Sequence, residues 1–212
     1  MNEKSYRIIS IIALLLGAIG VTIGYAAFSN TLTINSSAEV RPDPSGFNVD
    51  FSSSSSTVAT DPIAPSLSTT ATGFSATNAS INNTSSPVIS NLKATFTEPG
   101  QTVTYNFYSY NAGQYIAYLN SIEFSGSKTC TPDTGTDATL VASACNGITL
   151  SVKVGSESAT TSTVSSISGH SLAVGSAEAV QVVISYTAGS TRADGNFDVT
   201  LPDIILTYDS AD

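Results

Sequence analysis

The chain carries one histidine, His170, and two cysteines, Cys130 and Cys145, so the chemistry open to it is narrow. A Ser-His-Asp triad would have to use His170, which sits in Ser168-Gly169-His170-Ser171 between two apolar runs. In that Gly/Ser setting the histidine reads as a solvated turn residue rather than a general base. No His-Glu-x-x-His zinc motif, phosphate loop or dinucleotide fingerprint occurs. Asp194-Gly195-Asn196-Phe197-Asp198 has the outline of a calcium loop but lacks alternating ligands and a distal bidentate glutamate, and reads as a hairpin turn. The expectation is a protein with no catalytic residues, no metal site and no cofactor.

The cysteines point to structure. An even count in an exported domain favours a Cys130–Cys145 disulfide, with two free thiols as the alternative. Closing a loop of about 15 residues stabilises by roughly 3 kcal/mol. The tyrosines point to binding. Tyr105, Tyr108, Tyr110, Tyr115 and Tyr118 crowd Thr102–Leu119, which is predicted to be a hairpin. Tyr105 is in phase with Val103 and Phe107 and is expected inside. Tyr108 and Tyr110 have the opposite parity and are expected outside. There they form either a platform for a glycan or protein partner, or a cross-strand support for the hairpin.

The elements that hold these residues are strands. Period-two alternation recurs in Phe47/Val49/Phe51, Leu92/Ala94/Phe96, Val103/Tyr105/Phe107, Ile148/Leu150/Val152/Val154, Val180/Val182/Ile184/Tyr186, Phe197/Val199/Leu201 and Ile204/Leu206/Tyr208. Ile116, Tyr118, Ile122 and Phe124 are expected to share one face, and Phe74, Ala76 and Ile81 to mark weaker strands. Glu98-Pro99-Gly100 and Asn111-Ala112-Gly113 are turns. Asp137 to Ala144 is a short helix capped by Thr136 or Asp137. About nine or ten short strands with almost no helix predict an all-β, two-sheet sandwich, jelly-roll or Ig-like, with a closed barrel as the other candidate.

At the other end, Lys4 and Arg7 precede an apolar run from Ile8 to Phe28, the layout of a secretory signal and close to bilayer-spanning length. Residues 1–27 are expected to be a signal peptide cut near Ala26 or Ala27, or an N-terminal hydrophobic helix kept as an anchor. Residues 28–212 are the exported domain, secreted or displayed at the cell surface. Membrane contact is expected only through residues 8–28. Tyr208 to Asp212 are expected to carry no wall-sorting tail. Net charge is −9, and loss of Glu3, Lys4 and Arg7 leaves −10. So few cations cannot neutralise phosphates, which excludes nucleic acid as an expected partner. Charged residues are 11% of the chain, against about 25% in soluble domains. Ser and Thr fill the polar positions.

Two segments resemble the TasA/camelysin family of Gram-positive surface proteins. One is Gly24-Tyr25-Ala26-Ala27-Phe28-Ser29-Asn30, with Asn30 in place of the family's Asp. The other is Glu98-Pro99-Gly100-Gln101-Thr102-Val103-Thr104-Tyr105-Asn106-Phe107 with Asn111-Ala112-Gly113, where Gln101 replaces Asp. The resemblance implies a jelly-roll-like sandwich in the biofilm matrix or on the cell surface, able to form fibres by strand exchange. Thr31–Val40, followed by the stiff Arg41-Pro42-Asp43-Pro44, is the segment that would complete a neighbour's sheet. A protease activity is described for camelysins, but this chain has no zinc-ligand pattern to carry it. The expected function is a non-enzymatic structural subunit that pairs with itself. A monomeric module for a surface glycan or host protein is the alternative.

Overall fold

The computed structural model describes residues 46–83, 86–160 and 162–210. The Ile8–Phe28 segment, the Ala26/Ala27 cleavage position and the Thr31–Val40 strand lie outside the described residues. Among the described residues no helix is long and apolar enough to cross a membrane.

Among the described residues fifteen strands run in chain order: β1 (Val49–Ser52), β2 (Ser66–Leu67), β3 (Ser75–Ala76), β4 (Ser80–Asn83), β5 (Pro87–Ser90), β6 (Lys93–Phe96), β7 (Thr102–Asn111), β8 (Ala117–Ser125) and β9 (Thr129–Pro132). After the helix α1 (Ala138–Cys145) come β10 (Ile148–Val154), β11 (Glu157–Thr160), β12 (Ser171–Leu172), β13 (Ala177–Tyr186), β14 (Phe197–Thr200) and β15 (Asp203–Ser210). The first sheet has the order β1-β7-β13-β10-β11, with β2 beside β1 on the same edge of β7. The other strands form a five-stranded sheet, β12-β8-β15-β5-β4, and a four-stranded sheet, β3-β6-β14-β9.

The two smaller sheets are in effect one layer broken crosswise. Each main strand of one continues into a strand of the other: β4 follows β3, β6 follows β5, β9 follows β8 and β15 follows β14. The break runs through residues that cannot continue a flat ladder. Asn91 and Gly126 have positive φ, and Pro202 has no N–H to give. Hydrogen bonds lace the break, with Leu201 N–H on the Leu92 carbonyl and the Asn91 amide on the Asn78 carbonyl.

This layer packs on the first sheet to make a sandwich, as the alternation predicts. Open strand edges rule out the closed barrel. Phe51, Val103, Tyr105, Phe107, Val182 and Ile184 point inward from one side, and Ile89, Phe96, Leu119, Phe197, Ile204 and Leu206 from the other; all are buried. Each large apolar side chain removed from water stabilises by about 1.5–3 kcal/mol. Tyr186 of the first sheet meets Phe96 and Phe197 of the facing layer edge to face, with centroids 5.9 and 5.5 Å apart. The helix begins where expected: Asp137 accepts from the N–H groups of Thr139 and Leu140 at 2.7 and 3.0 Å, which holds its carboxyl below the usual range.

Three local expectations are corrected. Thr102–Leu119 is not a hairpin, because β7 pairs with β13, β1 and β2 while β8 pairs with β15 and β12. Asn111-Ala112-Gly113 instead carries the chain between layers. Asn111 anchors that corner, its buried amide donating to the carbonyls of Tyr115 and Leu172. Asp194–Asp198 is likewise an inter-sheet connection and not a hairpin turn, since β13 and β14 lie in different sheets. Finally, Ile116 is exposed, while Ala117 and Leu119 are buried. A register shift opposite Thr207/Tyr208 leaves Asn120 as the extra residue, and the inward parity of β8 flips there.

Candidate functional site

Cys130 on β9 and Cys145 at the end of α1 form a disulfide, with Cα atoms 6.0 Å apart. It pins the helix to the edge of the four-stranded sheet. The Lys128 ammonium donates to the carbonyls of Cys145, at the end of the helix, and of Ile148, at the start of β10, at 2.6 and 2.7 Å. Burial lowers the pKa of Lys128.

His170 is not a solvated turn residue. Its side chain is 8% exposed and lies between two glutamates from different strands. Nε2 is 2.7 Å from Glu178 Oε2 on β13, and Nδ1 is 3.6 Å from Glu157 Oε1 on β11. The backbone around it crosses between layers: the His170 carbonyl accepts from Leu119 N–H on β8, and Val164 bridges Ile122. The cluster therefore clasps one end of the sandwich. Gly155 makes room for it. Its φ is +53, and a Cβ there would overlap Glu178 Oε1. Nε2 is hydrogen-bonded to Glu178 and Nδ1 faces the Glu157 carboxylate, so the ring stands between two carboxylates and not in the carboxylate-and-serine arrangement of a triad. Among the described residues, no three His, Cys, Asp or Glu side chains converge as a ligand set for a metal.

Deeper in the core, the Ser109 and Tyr208 hydroxyls are buried without a well-formed hydrogen bond. Burial drives the Tyr208 phenol far above its ordinary value; the nearby Ser109 hydroxyl opposes this and the Glu178 charge adds to it. Burial alone pushes Tyr105 up to about 12. Its hydroxyl donates to the Thr77 carbonyl at 2.9 Å.

Tyr108 and Tyr110 do face outward, as parity predicts, and each is half-buried on the open face of the first sheet. They face alanines. Across the β7–β13 ladder Tyr110 is opposite Ala177 and Tyr108 is opposite Ala179. Beside Ala179 lies Gly155, whose N–H bonds the Ala179 carbonyl. One bulky residue next to two small ones makes a trough of about 420 Å³. Its other row is polar: Asn106, Gln181 and Lys153 are cross-strand neighbours on β7, β13 and β10. Gln181 Nε2 donates to Asn106 Oδ1 at 3.0 Å. Lys153, Gln181 and Asn106 could not be paired from sequence, since their partners are set by register. The outward alanines at 177 and 179, in a strand otherwise built of larger residues, were the available signal.

Beside Tyr110, Asp50 is buried and takes a 2.9 Å hydrogen bond from Asn48. Burial raises its pKa, with the Asn48 bond opposing. The serine tract after β1, Ser52–Ser56, is folded on itself. The Ser52 hydroxyl accepts from the N–H groups of Ser54 and Ala59 and donates to the Thr57 carbonyl at 2.6 Å. A second groove, of about 340 Å³, lies on the outer face of the four-stranded sheet. Ser75, Thr95, Asp198 and Thr131 form one row across it, tied by a 2.6 Å Thr95–Asp198 bond, and no aromatic lines it.

Comparison of the chain with protein-family models, with curated proteins and with solved structures gives no match.

Proposed function

We propose that this chain is an exported, non-catalytic structural protein of the bacterial cell surface or extracellular matrix, whose subunits associate by strand pairing. The Ile8–Phe28 segment delivers residues 28–212 outside, and the disulfide suits an oxidising location. The resemblance of Gly24–Asn30 and Glu98–Gly113 to the TasA/camelysin family points the same way.

The observation that carries this reading is the charge on the sheet edges. Natural sheets blunt exposed edges with charged side chains, lysine above all. The outer strands β1, β2, β3, β4, β9, β11 and β12 hold two charged residues between them, Asp50 and Glu157, and no lysine. Asp50 is buried, and Glu157 is drawn to His170. On one side the edge is closed by Asn83, whose amide accepts from Phe51 N–H and donates to the Phe51 carbonyl, both at 2.8 Å. On the other side, no described strand pairs the outer side of β11. In this reading the Thr31–Val40 segment of a neighbouring subunit is what pairs with that edge.

The test is electron microscopy of the mature domain with and without Phe28–Val40. Fibres from the longer form alone are expected. Equal fibre formation, or none from either, would sink strand exchange through this segment.

A second reading, a monomeric surface module that binds a glycan or host protein, draws on the Tyr108 trough. Its geometry removes the hairpin-support explanation for the outward tyrosines, because β7 and β8 are not paired with each other.

A further inference from the structure

Acidic residues outnumber basic ones 16 to 7 in this chain. The Tyr108 trough inverts that balance. No carboxylate lines it, and its one ionic group is Lys153. Lys153 has no ion-pair partner among the described residues. A local cation in an acidic molecule selects for an anion, and at physiological ionic strength charges beyond about 8 Å are largely screened.

The other lining groups narrow the ligand. The Tyr108 ring offers an apolar wall with a polar tip. The Asn106–Gln181 hydrogen bond uses one acceptor and one donor. The Asn106 NH₂ and the Gln181 carbonyl, on residues paired across adjacent strands, take no part in that bond. A donor next to an acceptor matches two neighbouring hydroxyls on a sugar ring. Ala179 keeps the floor low beside the Gly155 backbone, so that a ring can approach it. The volume, about 420 Å³, is in the lower part of the small-ligand range of about 300–1,000 Å³. A protein partner would need far more surface, about 800 Å² on each side.

Resting on the binding-module reading, we infer that the trough is a site for an acidic glycan, with a pyranose ring against Tyr108 and its carboxylate on Lys153. Affinity electrophoresis of the mature chain in gels containing polygalacturonate or dextran tests this. The wild type is retarded by polygalacturonate at least about tenfold more strongly than by dextran. Tyr108→Ala weakens that retardation about tenfold, and Lys153→Gln reduces it to the dextran level. Lys93→Gln, in the groove of the four-stranded sheet, changes nothing. Thermal unfolding checks that each variant is folded. Equal, Tyr108-dependent retardation by both polymers would overturn the acidic-sugar assignment and leave a binding module standing. No retardation by either polymer, or retardation unaffected by Tyr108→Ala, would overturn the assignment and the module reading at this site together.

Discussion

Glu178 and Ala179 are neighbours on β13, yet they serve opposite kinds of polar site. Glu178 turns toward the end of the sandwich, where His170 and Glu157 close over it. Ala179 turns outward, where its small size opens a trough beside Tyr108. In the first cluster the imidazole and the two carboxylates face one another. In the second, an ammonium, an amide donor and an amide acceptor are left for something else. The cluster with the more catalytic appearance thus closes on itself, and the bland face is the one for which we propose a ligand. Gly155 belongs to both, as the floor of the trough and the gap that admits the Glu178 carboxylate.

Crowding the clasp has the largest expected effect. Gly155→Ala places a Cβ on the Glu178 carboxylate at a positive φ. It is expected to destabilise by about 2–4 kcal/mol in denaturant unfolding. Separating the sites comes next. His170→Ala leaves Glu157 and Glu178 facing each other without the imidazole. A loss of about 1–3 kcal/mol is expected, with polygalacturonate binding retained. Tyr108→Ala should show the reverse, with stability within about 0.5 kcal/mol of wild type and binding about tenfold weaker. A His170→Ala protein as stable as wild type would show that the clasp holds nothing.

The smallest effect concerns Asp50, beside Tyr110. Its folded pKa is raised by burial, so the folded state holds the proton more tightly than the unfolded chain does. Its contribution therefore falls as pH rises from the ordinary aspartate range through the raised folded value. Asp50→Asn is expected to raise Tm at pH 7, and the gain should vanish below about pH 3.8, the unperturbed value. A constant gain across that range would mean that the charge is not the cause.

The long strands were legible because each buries one face. Val180 to Tyr186 and Ile148 to Val154 alternate without interruption, and both faces fall as expected. The strands β2, β5, β9 and β11 were not read. They have two or four residues, too few for a period, and pairing with a longer neighbour holds them in place. The β8 phase failed at Asn120 because a bulge is set by the partner strand. At the sites, Tyr108 could be placed outward from its own parity. The company of Lys153, Gln181 and Gly155 could not, nor could the two glutamates around His170, because register and crossover bring them from distant segments.

The lysine-free edge of β11, whose one charge, Glu157, is drawn to His170, carries the strand-pairing proposal. Thr160 on that strand is exposed and paired with Ser151 on its inner side. Sedimentation of residues 28–212, beside the same chain carrying Thr160→Lys, measures what that edge does. The account predicts concentration-dependent association of the wild type and a folded variant that stays monomeric. A wild type that is monomeric at every concentration, or a variant that associates equally well, would contradict it.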